Sequence, residues 1–289
     1  MRFDPDYLSR FYDQYDLAEW ERLEASAYGR LQAIIHTDFV REYVQGGNVV
    51  ADIGSGPGRF SIEVARLGAT PILVDISPQQ LKRAGERLSE AGFSAEVIQA
   101  DMRDLSCLSS ESFDTTICFG GALSYVCDDS AQAVAELMRI TKPGGFILAS
   151  VMSIWGYHCN IVRRGDSADL DVLANPDERN VDGVALYNVF ETGDLAGFSS
   201  STISLRHPPM HLFTAEELRG LFPGSDVQRM AGSNVTAYEG SEALERAAAD
   251  PQAWDTIVKL ERRLCTEPGL VDSGSHIIIA VQTQWRPAR

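Results

Sequence analysis

From Val49 onward, short apolar runs alternate with stretches whose apolar residues recur every three or four positions. The runs Val49 to Ile53, Pro71 to Asp75, Ala95 to Gln99, Phe113 to Phe119 and Phe146 to Val151 read as buried strands. Between them, Phe60, Ile62, Val64 and Ala65, then Leu81, Ala84 and Leu88, then Val134, Leu137 and Met138 keep helical spacing. Ser77-Pro78-Gln79-Gln80 supplies an N-cap, a first-turn proline and an N3 glutamine, and Gly68 and Gly92 close turns. Lys142-Pro143-Gly144-Gly145 is expected to break the third helix before the fifth strand. Strands and helices in regular alternation predict an α/β fold with a doubly wound, mostly parallel sheet.

The flanks obey other rules. Asp4-Pro5 reads as an N-cap and first helical residue, Asp16 to Glu19 has capping-box spacing, and Tyr28 to Tyr43 repeats Leu31, Ile34, Ile35 and Phe39. Residues 1–47 are therefore an N-terminal helical lid in front of a core at 48–152 and 212–289. Between them, 153–211 has mixed polarity and no clean period. That is too long for a plain loop and is expected to be a cap insertion. Regular patterning returns with a capping box at Thr214 to Glu217. A sixth strand follows at Val227 to Met230, then a helical region from Ser241 to Cys265 restarted at Asp250-Pro251, and a last strand at Ile277 to Val281.

At 289 residues the chain is long enough for a large core. It has no apolar run of membrane-spanning length and no apolar signal region behind Met1, so a cytoplasmic location is expected. The net charge of −16 opposes phosphate backbones and anionic lipid, so neither nucleic acid nor membrane is an expected partner. Cys107, Cys118, Cys127, Cys159 and Cys265 have neither zinc-knuckle nor dithiol spacing, and no metal is expected.

The chemistry is concentrated where the first strand ends. Asp52-Ile53-Gly54-Ser55-Gly56-Pro57-Gly58 joins a strand to a helix start whose amides face a ligand. The glycine spacing departs from the dinucleotide fingerprint, and Asp52 would repel a pyrophosphate but suit a positive charge. This stretch resembles the first motif of class I S-adenosylmethionine-dependent methyltransferases. Asp75 is similar to that family's ribose-binding acid, Asp101-Met102 to its adenine-binding pair, and Phe119-Gly120-Gly121-Ala122-Leu123 to the motif beside the methionine moiety. The resemblance implies seven strands with the last antiparallel, S-adenosylmethionine as cofactor and S-adenosylhomocysteine as product. It also implies a cofactor site of Asp52, Gly54, Ser55, Gly56, Gly58, Asp75, Ile76, Gln80, Asp101, Met102, Phe119 and Gly120.

Methyl transfer needs chiefly a positioned nucleophile, with a general base only where the acceptor must lose a proton. The lid residues Tyr12 and Tyr15 are candidates for closing over the donor, and Arg30 for meeting its carboxylate. His158, His207 and His211 are candidate bases, whereas His276 reads as structural. Phe119, Tyr125, Trp155, Tyr157, Tyr187, Phe190 and Phe198 suit a flat or apolar acceptor or the cap's own core. The expected function is methylation of a small-molecule acceptor at O, N or C. A protein or peptide methyltransferase and a non-catalytic S-adenosylmethionine-binding regulator are the rivals. The oligomeric state is left open between monomer and homodimer.

Overall fold

In the computed structural model, the described residues are 3–165, 192–195 and 208–284. Three helices, α1 (Pro5–Tyr15), α2 (Leu17–Glu21) and α3 (Ala27–Tyr43), precede the sheet. Strands β1 (Val49–Ile53), β2 (Thr70–Asp75), β3 (Glu96–Gln99), β4 (Phe113–Cys118) and β5 (Thr141–Met152) then run parallel. Between them lie α4 (Arg59–Arg66), α5 (Pro78–Glu90), the single turn α6 (Ala122–Tyr125) and α7 (Ser130–Ile140). Helix α8 (Ile154–Arg164) follows β5, and β6 (Asp194–Leu195) pairs antiparallel with β7 (Met210–His211). The chain closes with α9 (Ala215–Gly220), β8 (Asp226–Ser233), α10 (Glu242–Ala248), α11 (Pro251–Leu264) and β9 (His276–Gln282).

The seven-stranded order is β3-β2-β1-β4-β5-β9-β8, with β9 antiparallel to both neighbours. Strands in the middle of this sheet are apolar on both faces because helices cover both. In β9, Ile277, Ile279 and Val281 enter one core with α7 and α9. Ile278 and Ala280 enter the other core, against α3 and α4. In β1 the same alternation sends Ala51 and Ile53 one way and Val50 the other. Asp52 shares the face of Val50 and therefore points toward α4.

Two local expectations need correction. Asp16 makes no side-chain cap for α2. Its carboxylate turns to Arg83 on α5 at 2.8 and 2.9 Å, and Glu19 turns to Arg22, because charged partners are within reach of both acids. The Lys142–Gly145 turn does not precede β5 but is absorbed within it as a bulge. Thr141 pairs with Phe113 before the turn and Phe146 pairs with Thr115 after it, so the strand is anchored on both sides. The capping box at Thr214 and the helix restart at Asp250-Pro251 form as expected.

The N-terminal helices are docked by polar contacts to the start of α5. Asp13 accepts from the Ser77 hydroxyl at 2.6 Å, and the Gln80 amide donates to the Tyr12 and Asp16 carbonyls at 3.0 and 3.2 Å. Trp20 lies between the guanidinium groups of Arg59 and Arg87, 3.9 and 4.0 Å from its ring. These contacts place α1 and α2 over the carboxyl ends of β1 and β2. Among the described residues no helix is long and apolar enough to cross a membrane.

Candidate functional site

The three loop glycines do three different jobs. Gly54 has φ +69°, and a Cβ there would stand 2.7 Å from that of Ala122, so its missing side chain lets α6 close on the loop. The amide of Gly56 donates to Asp75 Oδ2 at 2.8 Å, tying the loop to the end of β2. Gly58 is the left-handed N-cap of α4, and a Cβ would meet Leu88 and Ala84 of α5 at 3.0 and 3.1 Å. It is not among the residues that line the cleft, and its missing side chain lets α4 pack on α5.

The cleft above the loop has two connected parts. One is lined by Phe3, Leu8, Tyr12, Ile53, Gly54, Val74, Asp75, Ile76, Ala100, Asp101, Met102, Ala122, Tyr125 and Val126. The other is more polar, with Arg22, Gln32, His36, Asp52, Ser55, Arg59 and Phe60. Glu19, Gly54, Gly56, Phe119 and Gly120 border both. Asp52 is 2% exposed and accepts from the Ser61 hydroxyl at 2.6 Å. Asp75 is also buried, and its second oxygen accepts from the Ser77 amide at 2.8 Å. Burial pushes both carboxyls up to about 6, because water no longer solvates their charge. Each keeps free lone pairs, since a carboxylate offers about four acceptor sites.

Asp101 lines the same wall with its carboxylate held by the guanidinium of Arg103 at 2.7 Å, and Met102 is buried beside it. Tyr12 and Tyr125 meet edge to face, ring centres 5.8 Å apart, and burial raises the pKa of both hydroxyls. Glu19 and Arg22 form a forked pair at 2.6 to 2.9 Å over Gly120.

Several other candidate residues make their contacts outside the cleft. Gln80 is fully buried and spends its amide on the lid backbone rather than facing the cleft. Tyr15 stacks on Phe11 with ring centres 5.6 Å apart and does not line the cleft. Arg30 bonds the Glu24 carbonyl and lies over Trp254, so the cation at the polar end is Arg22. His158 bonds the Ile154 carbonyl within α8 at 2.7 Å, outside the cleft lining. His211 lies between Met210 and Leu212, which pack inward. Strand alternation sends its ring the other way, to Asp194 at 2.7 Å. His207, Tyr187, Phe190 and Phe198 lie outside the described residues. Glu19, Arg22, Gln32 and His36 join the site without any motif in the sequence to mark them. Only the fold brings α2 and α3 to the glycine loop, and a local pattern carries no such signal.

Residues 50–145 match the family model described as a methyltransferase domain. The chain is 33% identical over 98 residues to an uncharacterized protein of Mycobacterium tuberculosis, covering 34% of this chain and 35% of that one. It is 33% identical over 107 residues to a ubiquinone biosynthesis O-methyltransferase of Thiobacillus denitrificans, covering 37% and 45%. The chain thus spans less than half the length of either relative. In fold it is similar to a SAM-dependent methyltransferase from Methanosarcina mazei, with TM-score 0.56, 17% identity, and coverage of 86% of this chain and 98% of that one. Residues 50–145 thus carry a methyltransferase domain, and the site motifs within it resemble those of class I S-adenosylmethionine-dependent enzymes.

The residues of this methyltransferase domain fit that cofactor. Asp75 offers an acceptor pair to two vicinal hydroxyls, Met102 and Ile76 an apolar slot, and Asp52 a buried anion at the polar end where an ammonium would sit. The Gly54 approach is equally specific. Gly54→Ala is expected to cost about 1–3 kcal/mol from left-handed strain and overpacking against Ala122. It should also weaken S-adenosylhomocysteine binding, both read by thermal unfolding with and without the ligand. An unchanged midpoint in both conditions would contradict the packing account.

Proposed function

We propose that the protein methylates a small, mainly apolar acceptor, with residues 1–47 as lid over the donor and 153–211 contributing the acceptor side. The observation that carries the reading is an anionic cofactor slot opening onto an apolar aromatic wall. Leu8, Tyr12 and Tyr125 stand beside Gly54 and Gly120, and are backed by Ile154, Leu195, Met210 and Leu212. S-adenosylmethionine supplies an electrophilic methyl group on a sulfonium. Tyr12 and Tyr125 exclude water and orient the acceptor, Asp75 holds the donor's ribose, and Asp52 holds its ammonium. Orientation of this kind supplies much of the rate in an in-line displacement.

Among the described residues, the histidine that lines the cleft is His36, and burial holds it neutral with its pKa lowered to about 4. The reading therefore favours an acceptor that needs no strong base at neutral pH. The ubiquinone-pathway relative supports a low-molecular-weight acceptor, and the net charge of −16 supports one other than nucleic acid. Incubation with methyl-labelled donor and a metabolite extract is expected to place label in a product of low mass. Label confined to polypeptide would favour a protein substrate. Donor binding without any transfer would favour a regulator.

A further inference from the structure

The loop after β4 contains two consecutive glycines, Gly120 and Gly121, at φ +76° and +86°. Neither has a side chain by which the protein could hold the loop, so its position depends on backbone bonds and on Phe119. His36 reaches both, Phe119 directly and the Gly120 amide through Ser150. The His36 ring meets that of Phe119 edge-on at 5.0 Å, and Phe60 completes the aromatic cluster at 5.1 Å from Phe119. The amide of Gly120 donates to Ser150 Oγ at 3.0 Å, and Ser150 Oγ lies 3.1 Å from His36 Nε2. His36 Nδ1 lies 2.9 Å from the carbonyl of Gln32, one turn earlier on α3.

The ends of this chain determine every proton in it. The Gly120 N–H can only donate and the Gln32 carbonyl can only accept. Ser150 therefore accepts from Gly120 and donates to His36 Nε2, and His36 donates from Nδ1 to Gln32. A charged imidazole would put a second donor against the Ser150 hydroxyl and break the order. Burial, with His36 1% and Ser150 0% exposed, disfavours that charge and lowers the pKa of His36 to about 4.

We infer that His36, acting through Ser150, is a positioning residue that fixes the Phe119–Gly120 segment where the methionine end of the donor lies. The inference rests on the methyltransferase reading. It concerns residues of α3 and β5 outside the motifs that carry that reading.

The test compares wild type, Ser150→Ala, His36→Leu and His36→Gln by calorimetry with S-adenosylhomocysteine and by unfolding without ligand. Ser150→Ala and His36→Leu are expected to weaken binding about tenfold. His36→Gln, which retains an acceptor at the same reach, should recover most of it. In turnover assays the loss should fall on the KM for the donor and leave that of the acceptor unchanged. Nitrogen NMR of the wild type at pH 7 should show His36 neutral with its proton on Nδ1, a readout that survives even if His36→Leu does not fold. Wild-type affinity in Ser150→Ala, or a proton on Nε2, overturns the inference. Failure of the wild type itself to bind would instead overturn the cofactor reading.

Discussion

Asp75→Asn is expected to weaken S-adenosylhomocysteine binding by about 100-fold or more at pH 7.5, while the free protein stays folded. The wild-type carboxylate already holds the Gly56 and Ser77 amides, one on each oxygen, and its remaining lone pairs face the cleft. Hydrogen bonds to a charged acceptor contribute about 1.5–3 kcal/mol each, so losing two to a diol amounts to roughly 3–6 kcal/mol. The free protein responds far less. A buried carboxyl pushed up to about 6 costs stability once ionised, and the neutral amide removes that cost, but its NH2 then faces one of the two backbone N–H groups that the carboxylate held. The two changes oppose each other, and the thermal midpoint without ligand should shift little. Calorimetry and thermal unfolding of the one variant read both outcomes. Binding within about threefold of wild type would remove Asp75 from the site.

The second large effect is on pH. Asp52 and Asp75 both have their carboxyls near 6 in the free protein, and both must be ionised to receive an ammonium and a diol. Donor affinity should rise with pH through about 6 and then level off. Between pH 7 and pH 5 each carboxylate is expected to cost about tenfold, so binding at pH 5 should be about 100-fold weaker. Binding should release protons in this window, which calorimetry in buffers of different ionisation enthalpy detects directly.

The sign for folding is the reverse. An unfolded aspartate titrates near 3.9, so between about pH 4 and 6 the folded state holds more protons and the two carboxyls lower stability as pH rises. His36, lowered to about 4 in the fold, is protonated first in the unfolded chain over this range and raises stability with pH. Wild-type stability shows the sum. The Asp75→Asn difference isolates the carboxylate, and affinity that is flat from pH 5 to 7 would contradict the electrostatics of the slot.

Much of the fold is legible locally because its signals are local. Apolar runs buried on both faces, N-caps at Ser77, Thr214 and Asp250, and prolines in first turns each act within a few residues. Asp52, Gly54, Gly56, Asp75, Asp101 and Met102 are legible for the same reason. Each sits at a strand's carboxyl end, and a parallel sheet brings all such ends to one edge. The exceptions are instructive. Asp16 has cap spacing but Arg83 lies 67 positions away in sequence and close in space, and the ion pair prevails. Gly58 belongs to the loop motif yet its missing side chain serves α5.

The sequence by itself determined the alternation, the sheet edge and the donor, because strand period, turn chemistry and motif spacing are properties of neighbouring residues. Only the tertiary structure decided what surrounds the donor. It placed Arg22 rather than Arg30 at the polar end and turned His211 away from the cleft. It also joined His36 to Gly120 across 84 positions through Ser150. Those choices depend on how α2, α3 and β7 dock against the sheet, and docking is set by contacts between residues far apart in the chain.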